Sequence, residues 1–456
     1  MFPLLPPRGS PTQKTPTMTP TTIKLSRCLP AVLLVFLLQG CTSEVDDYFP
    51  QPASQRLAAT IDRARQVLRS APYGWEFEYY PGEDLAYGGM VYTVRFDSLT
   101  ATVGCSLIPD STETSLYRLT NDNGPVLTFD SYNSLLHYFS TPSTSEYEAK
   151  GGDFEFVIDS IADDFISLYG KKTHNAMYLR RLTATPDEYA ENTINVFDHF
   201  VDSIHGTIGT ATLAGKTNPV LRTINIVSGR DTFDVHYAYT DRGIRLYRPL
   251  RLGGVSVQSF DFDTDSGQLT VADGPATGTT LQGVAYPADF MSYARYEGEY
   301  TLAYDANSSV PVYLKPNRLE GTYLMQGLSP MYDLTLRYDP ATGDLRLGAQ
   351  VIGSSGGNTY YWATTNYANG RLSSIGIADE GQFTIRWNGN RFYPRFNFSA
   401  TNPATDNVNS AIIIYLYTND EGNLTAGICS DPDWLTNGSY LFANLKSLNR
   451  KGRMED

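Results

Sequence analysis

Apolar residues recur along this chain with two different periods. Leu57, Ile61, Ala64, Val67 and Leu68 fall at helical spacing and predict a helix over residues 55–69, with Ser54 as N-cap and Pro72 and Gly74 as the stop. Directly after it, Trp75, Phe77 and Tyr79 alternate with Glu76 and Glu78, which predicts a strand with a buried aromatic face and a solvated acidic one. The helical period returns at Thr185, where Thr185, Pro186 and Glu188 read as a capping box with proline at the first helical position. Tyr189, Ile194, Phe197, Val201 and Ile204 carry that helix's apolar side, and Gly206 is its expected end. Shorter helices are expected at residues 131–139 and 288–295.

The remaining pattern is short and alternating. From residue 297 onward, runs such as EYTLAY, YDLTLRYD, NTYYWAT and AIIIYLY are separated by Gly, Asn and Asp turns, and residues 340–343 and 420–422 read as hairpin loops. Many short strands at regular spacing favour a barrel or sandwich. The expected class is therefore α+β and β-rich: two helix-plus-antiparallel-sheet units, then a C-terminal antiparallel β-barrel or sandwich domain. The order of helix then β-meander, from Ser54 and again from Thr185, is an echo that stops short of a sequence repeat.

The N-terminal pattern differs. Lys24 and Arg27 precede an uninterrupted apolar run over residues 31–38, followed by Gly40 and Cys41, which is the layout of a secretory signal. The run is shorter than the roughly 20 residues a spanning helix needs. Leu38-Gln39-Gly40-Cys41 resembles a bacterial lipobox, with Cys41 as the lipidated residue. Each buried methylene of an acyl chain contributes about 0.8 kcal/mol, so two or more chains on Cys41 anchor stably where one does not. A start at Met18 gives an ordinary leader length and leaves the Pro-rich residues 1–17 outside it. Ser43, Glu44, Asp46 and Asp47 resemble the acidic export signal that carries Bacteroidota lipoproteins to the outer face of the outer membrane; a plain solvated tether is the alternative. The expected division is 1–40 leader and signal peptide, 41–53 lipidated cysteine and tether, 54–182 and 183–290 helix-plus-sheet units, and 291–456 β domain.

Charge narrows the partners. The net charge is −14, and the leader's charged residues (Arg8, Lys14, Lys24, Arg27) are all basic, so the mature chain is more acidic still. Such a chain does not bind nucleic acid through its bulk field. The 32 Tyr and 21 Phe favour strands. Cys105 and Cys429 read as two buried thiols rather than a pair, and the absence of a C-x-x-C gives no zinc or thiol-redox motif.

Candidate chemistry is thin. Gly353-Ser354-Ser355-Gly356-Gly357 fits G-x-S-x-G, but a strand-like run follows it and no His comes after it, so it reads as a hairpin loop. Asp261, Asp263 and Asp265 approximate a calcium loop, yet Ser266 and Ala272 stand where Gly and Glu belong; a turn at 265–267 is the better account. The five His show no H-E-x-x-H. Glu76 and Glu78 form a carboxylate pair of the kind glycosidases use, but in a chain with 49 acidic residues a solvated strand face is the simpler reading. Of the four Trp, Trp75 reads as core, and Trp434, in SDPDWLTNGSY, reads as the exposed ring best placed to stack on a ligand. No catalytic residue, metal site or cofactor is assigned.

The strings APYGWEFEYYPG, GPVLTFDSYNSLLHYFSTPS and RGIRLYRPLRLGGVSVQSFDFD resemble a Bacteroidota lipoprotein family, domain of unknown function 4302, across about residues 44–273. That family carries no established activity. The resemblance implies an accessory lipoprotein of an outer-membrane nutrient-uptake system, with a transporter and surface lipoproteins as partners and a glycan or peptide as ligand. The leading expectation is a surface-exposed, lipid-anchored, non-catalytic binding component. A hydrolase of glycans or peptides and a fimbrial or adhesive subunit are the alternatives.

Overall fold

Period-two sequences with alternating buried positions curl and close wherever the first strand can meet the last, and closure removes the exposed edges of an antiparallel sheet. Here that happens three times in succession. The computed structural model describes residues 52–122, 124–142, 149–378, 383–402 and 407–454; the leader, Cys41 and the tether residues Ser43, Glu44, Asp46 and Asp47 lie outside the described residues.

Each barrel has eight strands. In the first, Trp75–Tyr79 pairs with both Met90–Phe96 and the last strand, Ala176–Arg181, so that Phe77 faces Tyr92 on one side and Leu179 on the other. In the second, Ser203–Ile208 pairs with Ala211–Asn218 and with the closing strand Thr280–Val284. In the third, Gly298–Tyr304 pairs with Ser308–Asn317 and with Leu445–Arg450 near the chain end. The two expected helix-plus-sheet units are thus closed barrels rather than open sheets, which corrects the α+β layout while keeping its β-rich, antiparallel character.

The third barrel's circuit is interrupted twice. After Leu345–Leu347 the chain leaves to form Gln350–Ser355, Asn358–Ala368 and Arg371–Gly376, then re-enters the barrel with Phe383–Trp387 and Arg395–Ala400. It leaves again for Ser410–Thr418, Leu424–Ile428 and Leu441–Phe442 before closing. Both excursions join in one six-stranded open sheet. The C-terminal region is therefore a barrel with an inserted sheet.

A helical segment precedes every barrel. Helix α1, Ala53–Arg69, begins before Ser54, so Ser54 lies inside it rather than capping it. Its residues Ala64, Val67 and Leu68 are buried, and Trp75 Nε1 donates to the Leu68 carbonyl at 2.8 Å. Helix α2, Pro186–His199, has the expected cap: Thr185 accepts from the Glu188 backbone N–H at 3.3 Å, with Pro186 in the first turn. It stops at His199, seven positions before Gly206, because Ser203–Ile208 is claimed by the second barrel; Gly206 lies in that strand, where an added Cβ would come within 2.7 Å of Leu281. The third segment is only a 3₁₀ turn, Tyr293–Tyr296, in place of the helix expected at 288–295. Residues 131–139 form turns, not a helix, organised by the buried Asn133, whose Oδ1 accepts from the N–H groups of Leu135 and Leu136. The helix-then-meander echo is a threefold succession of helical segment and barrel.

The aromatic content fills the barrels. Phe77 meets Phe156 edge-on at 5.1 Å in the first, and Phe200 meets Tyr239 edge-on at 5.3 Å in the second. In the third, tyrosine hydroxyls satisfy buried carbonyls: Tyr296 Oη donates to Gly343 O at 2.6 Å, Tyr300 Oη to Tyr296 O at 2.7 Å and Tyr338 Oη to Met291 O at 2.9 Å. A buried ring with a partnered hydroxyl adds apolar area without an orphaned polar group. Among the described residues, no helix is long and apolar enough to cross a membrane.

Candidate functional site

The barrels meet at one fully buried cation. Arg222, in the turn between the strands Ala211–Asn218 and Thr223–Ser228 of the second barrel, donates to Tyr87 O of the first barrel from Nε at 2.9 Å and from Nη2 at 2.5 Å. The same guanidinium reaches the third barrel, from Nη1 to Arg318 O at 3.0 Å and from Nη2 to Leu319 O at 2.8 Å. The backbone is tight here: a Cβ on Gly88 would lie 2.6 Å from Arg222 Cβ, and one on Gly321 would lie 2.5 Å from Val220 Cβ. Burial lowers the guanidinium pKa to about 10, so it stays protonated at neutral pH.

A second polar junction joins the first and second barrels. Glu76 and Glu78, expected on a solvated face, are buried. Arg245 of the second barrel pairs with both carboxylates, at 2.5 Å to Glu78, and Arg180 Nε donates to Glu78 at 2.7 Å. Burial raises the Glu76 carboxyl above its ordinary range, opposed by Arg245 and reinforced by the charge on Glu78. The pair is thus committed to a structural ion cluster. The sequence hid this because the covering element, residues 243–252, arrives from another barrel.

A cleft of about 630 Å³ opens where the first barrel, the third barrel and the inserted sheet come together. One wall is the first barrel's Tyr138 and Lys150. Asn317 Nδ2 donates to Tyr138 Oη at 3.1 Å, the Tyr138 hydroxyl bonds Glu320, and Lys150 Nζ lies 3.3 Å from Glu320. The floor is the third barrel, with Thr322, Thr335 and Arg337. The other wall is the inserted sheet, with Gln350 and Tyr361. Gln350 fixes this wall to the floor: its Oε1 accepts from Thr335 N at 2.8 Å and its Nε2 donates to Thr335 O at 3.1 Å. The Thr322 hydroxyl is buried and has no hydrogen-bond partner.

The lining is chemically specific. It offers hydroxyl, amide, carboxylate and cationic groups beside two tyrosine rings, and its volume lies in the range of ordinary small-molecule sites, roughly 300–1,000 Å³. Donors and acceptors mixed with ring faces suit a polyhydroxylated or peptide-like ligand better than a lipid tail. None of these residues was singled out in the sequence. They come from segments far apart in the chain, and only the strand character of their local runs was legible.

The expected stacking residue is elsewhere and inaccessible. Trp434 is buried, lies parallel to Tyr360 with ring centroids 3.9 Å apart, and presses on Gly353, where a Cβ would be 2.5 Å from its ring. Its surroundings in sequence are polar, but the turn Pro432–Trp434 folds the indole inward onto the inserted sheet. It therefore serves as core, not as a ligand platform. The G-x-S-x-G run forms the expected hairpin between Gln350–Ser355 and Asn358–Ala368. Asp263 accepts from the N–H groups of Asp265 and Ser266 in the expected turn. Cys105 and Cys429 are both free and buried, and burial pushes the Cys105 thiol up to about 11.

Comparison with known proteins adds family matches without an activity. Residues 45–264 match a family described as a domain of unknown function (DUF4302), and residues 272–414 match a second, DUF4987, likewise described as a domain of unknown function. The first match ends at residue 264 and the second begins at residue 272, so the border falls inside the second barrel, with the strand Leu269–Val271 between the two matches, and the barrel boundaries and the family boundaries differ. No curated protein matches this chain. Among solved structures, the beta subunit from DNA polymerase of Streptococcus pyogenes is similar at 12% identity over 63% of this chain and 85% of that one, with a TM-score of 0.08, which carries no argument about fold or function.

Proposed function

We propose that this protein is a lipid-anchored binding component on the outer face of the outer membrane, serving a nutrient-uptake system and holding a glycan or peptide without chemical change. The observation that carries the reading is the cleft between the first barrel, the third barrel and the inserted sheet. It combines the unpartnered Thr322 hydroxyl, the amide of Gln350 and the rings of Tyr138 and Tyr361. Such a lining gives a sugar or peptide both hydrogen bonds and stacking area. The buried Glu76–Glu78 pair, the chain's most suggestive acid pair, is held by Arg245 and Arg180. The lipobox-like ending at Cys41 and the short acidic run of Ser43, Glu44, Asp46 and Asp47 behind it, in which Ser43 is the one neutral member, support the location.

The test has two arms. A glycan and peptide array probed with the Cys41→Ala chain returns a ligand class if the reading holds, and a blank array argues against it. In cells, the native chain pellets with membranes and is cleaved by protease added outside, whereas Cys41→Ala is soluble. A Cys41→Ala chain that still pellets refutes the anchor.

A further inference from the structure

Closure removes the edges of the three barrels, but the inserted sheet keeps its own. On one side its strands Gln350–Ser355 and Arg371–Gly376 each pair with Asn358–Ala368 through a register break. On the other side Leu424–Ile428 pairs with Ser410–Thr418 in unbroken register, and no strand among the described residues covers its outer edge. The guards that usually blunt such an edge, a lysine, a proline or a bulge, are all missing from it. Bonded pairs alternate along an antiparallel ladder. Asn419 N donates to Asn423 O at 2.9 Å and Cys429 N to Ile413 O at 3.1 Å, so Thr425 and Gly427 are the residues bonded to the neighbouring strand. The N–H and C=O groups of Leu424, Ala426 and Ile428 therefore point off the sheet.

The side chains of the same three residues are uncovered as well. Leu424 is 70% and Ile428 48% exposed, and Ala426 is exposed between them. On the neighbouring strand Ile414 stands opposite Ile428 and Leu416 opposite Ala426, so the strip is apolar across two strands. The charge around it has one sign. Asp420 and Glu421 lie in the hairpin loop before the strand, and Asp431 and Asp433 in the turn after it. None of the four forms an ion pair among the described residues, and no Lys, Arg or His occurs from residue 396 to residue 445. The strands 350–355 and 358–368 of the same sheet carry no charge. The third-barrel loop that touches the turn, through Ser329 Oγ to Asp433 O at 2.7 Å, adds Asp333 and no cation.

We infer that this edge takes an extended basic segment of another protein as an added strand. Outward N–H and C=O groups at every second residue match a peptide backbone and not a sugar ring. The exposed Leu424, Ala426 and Ile428 meet alternate apolar side chains of that segment, and the acids at both ends of the strand select lysine or arginine on its flanks. The same acids disfavour a second copy of this chain, because an antiparallel pair centred on Ala426 brings the acidic ends of the two copies together. The inference is independent of what occupies the cleft.

The test uses the full chain with Cys41→Ala and a fluorescent peptide in which two lysines flank each end of an alternating Val-Thr-Val-Thr-Val core. Anisotropy shows saturable binding at low salt that weakens as salt is added, and a peptide with glutamates in place of the lysines does not bind. Ala426→Pro removes an outward N–H that bonds nothing in the chain, at a position where an edge strand accepts proline, so the melting midpoint stays close to the parent's while binding is lost. Asp420→Asn with Glu421→Gln weakens binding about threefold to tenfold, the worth of two exposed ion pairs, and decides alone where proline lowers the midpoint. Thr322→Val, in the cleft, leaves binding unchanged. No binding, equal affinity for the two peptides, affinity unaltered in the edge variants, or a loss in Thr322→Val instead overturns the inference. A chain that sediments as a dimer dissolved by Ala426→Pro overturns it in favour of a second copy.

Discussion

Arg222 and Tyr87 are 135 positions apart, and the Arg222 guanidinium donates twice to the Tyr87 carbonyl, from Nε at 2.9 Å and Nη2 at 2.5 Å. Two further donors of that guanidinium go to Arg318 O and Leu319 O. One side chain from the second barrel thus satisfies buried carbonyls of the first and the third, and it does so without a carboxylate partner. A planar fork with several fixed donors can do this; an ammonium cannot. The cleft depends on this arrangement, because one of its walls belongs to the first barrel and its floor to the third.

Arg222→Met leaves buried carbonyls of both neighbouring barrels without a donor, each costing about 1–3 kcal/mol. The variant unfolds at a clearly lower urea midpoint, with the barrels separating into more than one transition. Arg222→Lys fails to restore it. A midpoint equal to the parent's in either variant contradicts the role assigned to Arg222.

The Glu76–Glu78–Arg245 cluster makes stability depend on pH. Glu76 has a folded-state pKa raised above the ordinary 4.5 by burial, so the folded state binds its proton more readily than the unfolded state. Its contribution is present at pH below 4.5 and is lost as pH rises through the raised folded value. Glu76→Gln, which mimics the protonated acid, removes that dependence. The parent therefore gains stability relative to Glu76→Gln as pH falls from neutrality toward 4.5, measured by denaturant unfolding across the range. A difference that stays flat, or runs the other way, contradicts the assignment.

Trp434→Ala removes an indole that is 2% exposed and stacked on Tyr360 at 3.9 Å. The expected cost is about 3–5 kcal/mol, the usual range for truncating a buried aromatic. Gly353→Ala is destabilising for the reciprocal reason, since its Cβ would sit 2.5 Å from the Trp434 ring. Thermal unfolding checks both. A Trp434→Ala variant with an unchanged melting point would return the residue to the surface role its sequence context implied.

What the sequence disclosed and what it withheld follow from locality. The Thr185 cap and the turns at Asp263 and Asp339 were legible because each is settled by residues within a few positions of one another. Strand character was legible in EYTLAY or AIIIYLY for the same reason. Closure into barrels was not, because it requires pairings such as Leu302 with Leu448 that no local window contains. Helix α2 was expected to reach Gly206 since Val201 and Ile204 continue its apolar stripe, but the same residues are apolar in a strand, and pairing with the second barrel decided between the two. The cleft was invisible for a further reason. Thr322, Gln350 and Tyr138 are ordinary residues in ordinary runs, and only the junction of two barrels and an inserted sheet brings them to one place.

The most direct measurement concerns that cleft. The Cys41→Ala chain is titrated calorimetrically with the oligosaccharide or peptide that the array selects, alongside Thr322→Val and Tyr361→Ala, and the ligand is recovered and chromatographed. Thr322→Val removes a hydroxyl without a protein partner, so stability is nearly unchanged while affinity falls roughly five- to tenfold, the worth of one hydrogen bond. Tyr361→Ala weakens binding further through lost stacking, and the ligand returns intact. Unaltered affinity in both variants, or a ligand recovered in pieces, contradicts a non-catalytic binding cleft.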